Sequence, residues 1–346
     1  MGPEGDMVPL YYHDDYVKHE QSPGHPESPE RVREIMRFIH ENELPVKLMG
    51  PAEITEGDLQ LVHSRRHIEK VRDFGLGYMD PDTFHTEKTY GYSLRAAGGL
   101  VEAVRQCIRE KRTTFIAPRP PGHHAGFDYN MGFCYFNNVA LSARMAQKEF
   151  DEIEKVAIVD IDAHHGNGTN DIFSDDPTVL YISTHEWGIF PGTGHFTDVG
   201  TGKGEGKTVN LPFNGGSGDG TFSASFSEIV IPIVREFRPD LLLVSFGADG
   251  HLMDPLTTLS LSTPGFLEMT RQLIDLGKKE VGGKVCIELE GGYHTYALAE
   301  SFGGAIAYAA GVETKTPPRF TRTRDEKGDR RVIDLLRDTA SNYWKL

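Results

Sequence analysis

The sequence lacks three features that would place it in other classes of protein. It has only three cysteines, Cys107, Cys134 and Cys286, an odd number without the short spacing of a metal-binding or disulfide framework. No segment approaches the roughly 18 consecutive apolar residues of a membrane-spanning helix. The stretch MGPEGDMVPL at the start has neither the basic residues nor the apolar core of a secretory signal. These absences predict a cytoplasmic protein with reduced thiols and no membrane partner.

Basic residues are also scarce relative to acidic ones. The chain has 36 Lys and Arg against 51 Asp and Glu, a net charge of −15. A nucleic-acid-binding surface needs a basic face, so we predict no direct nucleic-acid partner. The acidic excess suits attraction of cationic ligands, although solubility alone is the commoner reason for such a charge.

Short apolar runs alternate with amphipathic segments along most of the chain. Continuous apolar runs of this length are typical of parallel strands that are covered on both faces. The predicted strands are 113–118, 155–162, 178–184, 241–249 and 284–292. The predicted helices are 28–42, 92–111, 137–150, 222–237, 263–281 and 294–311. The alternation predicts an α/β fold, with a parallel sheet between two layers of helices.

The domain organisation follows from length and composition. A chain of 346 residues fits one or two domains, and we predict a single domain over residues 1–346. Residues 1–7 are interpreted as a disordered lead-in or a tag, and residues 313–346 as a C-terminal extension with a final helix. That helix is predicted to dock through Ile333, Leu335, Leu336 and Trp344.

Ionisable side chains are concentrated at the carboxyl ends of four predicted strands, where ligands bind in open α/β sheets. They are His123 and His124 after the first strand, Asp160, Asp162 and His164 at the second, Asp249 and His251 at the fourth, and Tyr293 after the fifth. Each alone has an ordinary explanation, such as a helix cap or a satisfied core histidine. Together they would bring several charges to one edge, which is costly without a counter-ion.

The spacing within this group favours a metal site. Alternate residues of an extended chain point to the same side, so Asp162 and His164 can bind one cation, with Asp249 as a third ligand. Two oxygens and one nitrogen, with positions left for water and substrate, fit a catalytic Zn²⁺ or Fe²⁺.

The neighbouring residues suit proton transfer. The tandem histidines His123 and His124 could serve as base and acid beside such a metal. An aspartate beside one histidine would raise its pKa, whereas an asparagine beside the other would orient it without charge; Asp160 and Asn167 are available for these roles. Tyr293 follows two glycines, and its hydroxyl could stabilise an oxyanion.

Several long motifs resemble those of the histone deacetylase and acetylpolyamine amidohydrolase superfamily. They occur in the family's order: HPESPERV (25–32), LVHSRRHIEKV (61–71), RPPGHHAGFDYNMGFCYFNNVA (119–140), VDIDAHHGNGTNDIF (159–173), YISTHEWGIFPGTG (181–194), FGADGHLMDPL (246–256) and LEGGY (289–293). The pattern HHGNG is similar to that of the class II and acetylpolyamine-type branch. The resemblance implies the three-layer arginase/deacetylase fold, with a central, mostly parallel sheet and helices on both faces.

The resemblance also implies a role for each site residue. Asp162, His164 and Asp249 would bind Zn²⁺, with Fe²⁺ or Co²⁺ as alternatives. His124 would be the general base, with Asn167 facing it. His123, paired with Asp160, would be its electrostatic or acid partner, and Tyr293 would polarise the carbonyl.

A narrow substrate tunnel and a second cation are implied as well. Gly132, Phe133 and Phe190 would line a tunnel for an acylated aminoalkyl chain, and Leu256 stands where polyamine-selective relatives carry a glutamate. A structural K⁺ would lie near Asp160, Asp162, His164, Ser183 and Thr184. The implied activity is zinc-dependent removal of acetyl or similar short acyl groups from acetyl-lysine peptides and proteins or from acetylpolyamines, and the resemblance allows an oligomer.

Two other functions stay open from the sequence. One is a binuclear Mn²⁺ ureohydrolase of the arginase type, although His251 stands where arginases supply a carboxylate for the second metal. The other is a non-catalytic module that binds acylated amines. Loss of a metal ligand or of Tyr293 would be the mark of such a module, and the sequence retains them all.

Overall fold

The structure, a computed structural model, describes residues 7–323, 325 and 327–346. The predicted lead-in at residues 1–7 therefore lies outside the described residues except for Met7. The described residues contain ten strands in two sheets. The strands of the main sheet are β1 (Val8–Tyr11), β2 (Val46–Met49), β5 (Thr114–Ile116), β6 (Val156–Asp160), β7 (Val179–Glu186), β8 (Thr208–Phe213), β9 (Leu241–Phe246) and β10 (Val285–Leu289). A small antiparallel pair consists of β3 (Gly77–Tyr78) and β4 (Phe84–His85).

The main sheet has eight strands in the order β2-β1-β5-β10-β9-β6-β7-β8, and each described pairing is parallel. All five predicted strands are present, with shorter bounds. The sequence reasoning missed β1, β2 and β8, which lie at or next to the two edges of the sheet. β2 is partly exposed, and the apolar runs of β1 and β8 are interrupted by Pro9, Asn210 and Pro212, so none of the three has a continuous apolar run.

Eleven α-helices lie within the described part of the chain. They are α1 (Glu30–Glu41), α2 (Glu56–Leu59), α3 (Arg65–Asp73), α4 (Thr89–Glu110), α5 (Asn138–Glu149), α6 (Asn167–Phe173), α7 (Asp219–Ser225), α8 (Ile231–Phe237), α9 (Thr263–Glu280), α10 (Thr295–Ala310) and α11 (Arg330–Ala340). The predicted helix 222–237 is divided between α7 and α8 by a π-helical turn at Phe226–Val230. Pro232 follows that turn and has no N–H for the regular helical hydrogen bond. Within these described residues, no helix has the length and apolarity that a bilayer crossing requires.

Side chains of the central strands alternate between two hydrophobic cores. Ile158 and Leu243 belong to the core beneath α4 and α5, whereas their neighbours Val159 and Val244 belong to the core beneath α1, α9 and α10. Successive residues of a strand point to opposite faces, so a sheet covered on both sides reads as a continuous apolar run. This arrangement accounts for the run that leads into Asp160.

The final helix, α11, docks on the core beneath α1, α9 and α10. Ile333, Leu336 and Trp344 are buried there, and the Trp344 indole N–H donates to the Gly206 carbonyl at 3.0 Å. The predicted contact by Leu335 is wrong, because this side chain is 48% exposed. Residues three apart share a helix face, so Ile333 and Leu336 point inward together while Leu335 points outward.

A buried ion network fixes the start of the loop that follows β5. Arg119 donates from its guanidinium to Glu27 at 2.9 Å and to the His19 carbonyl at 3.0 Å. Arg31 donates to the other Glu27 oxygen at 3.1 Å. Burial opposes ionisation of Glu27, but the two guanidiniums hold the pKa of this carboxyl well below its usual range. The network therefore ties the N-terminal segment to the histidine-bearing loop.

We predict that Glu27→Ala lowers the free energy of unfolding by roughly 3–5 kcal/mol, because it leaves two buried guanidiniums without their counter-charge. Urea denaturation followed by circular dichroism measures the change. The exposed Glu20 gives the control, since Glu20→Ala is expected to stay within about 0.5 kcal/mol of the wild type. A loss below about 1 kcal/mol for Glu27→Ala would show that the network contributes no more than a surface ion pair.

Candidate active site

The predicted site residues meet at the carboxyl edge of four neighbouring strands. Strands β5, β10, β9 and β6 are adjacent in the sheet, and all of them run in the same direction. Their carboxyl ends carry His123 and His124, Tyr293, Asp249, and the segment from Asp160 to His164, in that order. The parallel topology is therefore what brings together residues that are far apart in the sequence.

Asp162, His164 and Asp249 form a compact cluster. One donor atom from each residue lies within 4.8 Å of the other two. The His164 Nδ1 atom is 2.8 Å from Asp249 Oδ2 and 3.2 Å from Asp162 Oδ1. Backbone N–H groups hold the remaining carboxylate oxygens, with Ala163 donating to Asp249 at 2.9 Å and Gly291 donating to Asp162 at 2.8 Å.

This cluster fits a divalent metal ion. Both carboxylates are buried, and like charges so close together need a cation between them. The set of two oxygens and one nitrogen suits Zn²⁺ or Fe²⁺ and leaves coordination positions for other ligands. A side chain at position 291 would overlap oxygens of Asp162 and Asp249, so only glycine fits there. The cluster is also the one group of this kind found among the described residues.

The tandem histidines have different partners. His123 Nδ1 lies 3.0 Å from Asp160 Oδ2, whereas His124 Nδ1 lies 2.8 Å from Asn167 Oδ1. The two rings are 4.0 Å apart, centre to centre. Asp160 also accepts the hydroxyl of Tyr181 at 3.0 Å, which fixes its carboxylate on the His123 side.

The surroundings of the two histidines shift their pKa values in opposite directions. Burial disfavours a charged His123, but the carboxylates of Asp160, Asp162 and Glu290 outweigh it and raise its pKa to about 10. Burial lowers the pKa of His124 well below its ordinary value, and the charges of His123 and His164 lower it further. Near neutral pH, His123 therefore carries a proton to donate and His124 is free to accept one.

Two phenyl rings lie beside predicted site residues. The Phe190 ring centre is 5.2 Å from that of His124 and 6.3 Å from that of His164. The Phe133 ring centre is 5.9 Å from that of Tyr293. Gly132 lies against His124 and Phe190, where any larger residue would overlap both rings. The structure thus places Phe190 beside the candidate ligand His164, Gly132 beside His124, and Phe133 beside Tyr293.

Tyr293 is positioned through its backbone. Asp254 accepts the N–H of Tyr293 at 2.7 Å and that of Leu256 at 3.0 Å, which joins the tyrosine segment to the segment bearing Leu256. Arg31 donates to the Gly292 carbonyl at 2.7 Å and lies 5.1 Å from the tyrosine ring centre. Burial raises the pKa of Tyr293 well above its ordinary value, so its hydroxyl keeps its proton.

The remaining predicted residues lie near the cluster without joining it. Ser183 is the register partner of Asp160, and the Thr184 hydroxyl donates to the Asp160 carbonyl at 3.4 Å. The K⁺ site therefore stays a prediction. His251 is buried, and its Nε2 lies 3.3 Å from the hydroxyl of Thr263 rather than among the candidate ligands.

The sequence reasoning missed three residues that support the site. Asp254 holds the tyrosine segment, and Glu290 accepts the N–H groups of Gly122 and His123 at 2.8 and 3.3 Å. Glu288 lies in β10, two positions before Glu290, which directly follows the strand. Two glutamates at alternate positions of an otherwise apolar segment were visible in the sequence and could have indicated buried carboxylates near the site.

Comparisons with known proteins agree with this geometry. Residues 25–309 match the family described as histone deacetylase domain. The chain is 37% identical to a probable deacetylase of Archaeoglobus fulgidus, over 97% of this chain and 98% of the relative. It is 37% identical to histone deacetylase 14, chloroplastic, of Arabidopsis thaliana, over 84% of this chain and 74% of the relative.

A solved structure supports the same assignment. The crystal structure of the HDA15 HD domain superposes with a TM-score of 0.87 at 31% identity, covering 98% of this chain and 96% of that one. The chain belongs to the histone deacetylase family. The predicted arginase/deacetylase fold is confirmed, with the sheet parallel throughout its described pairings.

We predict that the purified protein binds about one divalent metal ion per chain, and that His164→Ala and Asp249→Ala lose it, because each removes one of three ligands. Inductively coupled plasma mass spectrometry after dialysis measures the content. The exposed His195 gives a matched control, since His195→Ala removes an imidazole outside the cluster and should keep the metal. Wild-type metal content in the two cluster variants would contradict the assignment.

Proposed function

We propose that this member of the histone deacetylase family is a metal-dependent amidohydrolase that removes acetyl or similar short acyl groups from acylated primary amines. Acetyl-lysine in peptides or proteins and acetylpolyamines are the candidate substrates. The observation that carries the proposal is the pair of histidines beside the Asp162, His164 and Asp249 cluster, one facing the carboxylate of Asp160 and the other the amide of Asn167. A deacetylase needs this combination of a base, an acid and a Lewis-acid site.

The metal would be held by Asp162, His164 and Asp249, with Zn²⁺ as the first candidate and Fe²⁺ or Co²⁺ as alternatives. When bound there, it would supply Lewis-acid polarisation of the scissile amide carbonyl. The protein's own contribution is to orient the acyl group, to move protons and to stabilise the oxyanion.

His124 is the proposed general base, and its hydrogen bonds select the correct tautomer. The Asn167 amide nitrogen donates to the Tyr129 hydroxyl at 3.0 Å, so Asn167 Oδ1 is left to accept from His124 Nδ1. A neutral His124 with its proton on Nδ1 has an unprotonated Nε2 that accepts a proton from the attacking water.

His123 is the proposed proton donor. Its Nδ1–H donates to Asp160, so the charged ring keeps a second proton on Nε2. This nitrogen lies 3.9 Å from Asp162 Oδ1, at the boundary of the cluster. From there His123 stabilises negative charge on the reacting centre and supplies a proton to the departing amine.

Tyr293 is the proposed oxyanion donor. Its hydroxyl stays protonated because burial raises its pKa, and a neutral phenol donates a hydrogen bond to the developing charge. Phe133 and Phe190 are the proposed walls of the passage, and Gly132 leaves room for the amide beside them. A structural K⁺ near Asp160, Asp162, His164, Ser183 and Thr184 is proposed on the family resemblance.

The alternatives gain less support. A two-metal ureohydrolase would need a further ligand near Asp249, and His251 is engaged with Thr263 instead. A binding module without turnover would have no need for histidines of opposite protonation. A cytoplasmic location stays a prediction, since one relative carries a chloroplastic label in its name. The oligomeric state also stays open.

We predict that His124→Ala and Tyr293→Phe each lower kcat by at least ~100-fold, because one loses the base and the other the oxyanion donor. Release of acetate from an acetyl-lysine peptide gives the rate, and circular dichroism checks that each variant is folded. Tyr296→Phe is the matched control, since this exposed tyrosine lies three residues further along and outside the site. A Tyr293→Phe variant as active as the control would remove Tyr293 from the mechanism.

Leu256 gives a test of substrate class. Its side chain is 41% exposed, and its segment is joined to that of Tyr293 through Asp254. We predict that Leu256→Glu raises kcat/KM for N-acetylspermidine relative to an acetyl-lysine peptide by roughly fivefold, through attraction of the free ammonium groups. Leu256→Gln has the same shape without the charge and is expected to leave the ratio unchanged. Equal ratios for the two variants would show that Leu256 does not face the substrate.

A further inference from the structure

Two glutamates at the carboxyl end of β10, Glu288 and Glu290, have buried carboxylate oxygens without a hydrogen-bond partner among the described residues. Glu288 is 1% exposed and Glu290 is 0% exposed. Glu290 Oε2 accepts the N–H groups of Gly122 and His123. The other oxygen of Glu290 and both oxygens of Glu288 have no partner among the described residues. A buried carboxylate in this state is costly, so something must satisfy these atoms.

The neighbouring strands offer a hydroxyl and another carboxylate, but no basic side chain. Asp160, Ser245 and Glu288 are register partners across β6, β9 and β10, so their side chains point to the same face of the sheet. On the other side of Glu288, its register partner on β5 is the apolar Ile116. The Ser245 hydroxyl is also buried without a partner. Among the described residues, no lysine or arginine forms an ion pair with either glutamate.

Two adjacent carboxylates in such a site cannot both be ionised. Burial raises the pKa of Glu288 well above its ordinary value, and the neighbouring Glu290 raises it further. Burial also raises the pKa of Glu290, but the charge of His123 and the N–H of Gly122 act in the opposite direction. The proton therefore belongs on Glu288, and the negative charge belongs on Glu290.

We propose that Glu288 and Glu290 share one proton and that the pair is a positioning element for His123, an inference that rests on the proposed function. The protonated carboxyl of Glu288 donates to the free oxygen of Glu290 and holds that side chain in place. Glu290 in turn holds the backbone of Gly122 and His123, which sets where both imidazoles point. Its charge also faces the His123 imidazolium.

Infrared spectroscopy of the metal-loaded protein without substrate tests the shared proton directly. We expect a carbonyl band of one protonated carboxyl at pH 8, sensitive to exchange into D₂O. It should be present in the wild type and absent from Glu288→Gln. Glu300→Gln is the control, because Glu300 is a buried carboxyl that has partners in Thr263 and the backbone of Arg319. Absence of the band from the wild type, or its persistence in Glu288→Gln, would overturn the proposal.

Kinetics test the positioning role. The amide of Glu288→Gln donates as a protonated carboxyl does, so we expect kcat within about twofold of the wild type. Glu288→Leu removes the donor, and Glu290→Gln removes the charge; each should lower kcat about tenfold at unchanged KM. Equal losses in Glu288→Gln and Glu288→Leu would overturn the proposal. An increase in melting temperature with Na⁺, K⁺ or Ca²⁺ that disappears in Glu288→Gln would do so too, since it would place a cation there instead.

The infrared and kinetic experiments together distinguish a failure of this proposal from a failure of the proposed function. If the wild type hydrolyses no acylated amine, the proposed function fails, while the infrared band still decides whether the glutamates share a proton. If the wild type is active and the band is missing, the shared proton fails and the hydrolase assignment stands.

Discussion

The site depends on one electrostatic constraint: two buried carboxylates, Asp162 and Asp249, converge on the imidazole of His164. Such a convergence is unfavourable without a cation, and the surrounding structure maintains it. Adjacent parallel strands β6 and β9 bring the two acids together, although they are far apart in the sequence. Backbone N–H groups of Ala163 and Gly291 fix their oxygens. The sheet therefore supplies a preorganised set of candidate ligands, and the proposed chemistry depends on it.

The proposed proton transfer beside that cluster depends on whether a histidine faces a carboxylate or an amide. His123 faces the carboxylate of Asp160, while His124 faces the amide of Asn167. Aspartate stabilises a charged ring and asparagine does not, so two adjacent histidines of the same type can have different proton affinities. The pair Glu288 and Glu290 extends the same network beneath the histidine loop. With the proposed shared proton, the two glutamates together carry one negative charge instead of two.

Much of the fold could be predicted from the sequence, because strands covered on both faces are continuous apolar runs. The five central strands follow that rule, whereas β1, β2 and β8, at or next to the edges, do not. The convergence of Asp162, His164 and Asp249 was predictable from strand-end position and alternation. Leu335 shows that hydrophobicity alone does not predict which helix residues are buried, since its apolar side chain faces outward. Asp254 was missed because its role lies in contacts to backbone N–H groups, which no spacing rule encodes, whereas Glu290 was missed although its alternation with Glu288 was visible in the sequence.

The central claim is that Asp162, His164 and Asp249 hold a single divalent cation at the edge of the sheet. Anomalous X-ray diffraction from crystals of the metal-loaded protein, recorded on both sides of the metal's absorption edge, tests it most directly. The account predicts one strong anomalous peak between these three side chains, adjacent to His123 and His124. A peak elsewhere, a second peak of similar height beside Asp249, or no peak at a stoichiometric metal load would contradict it.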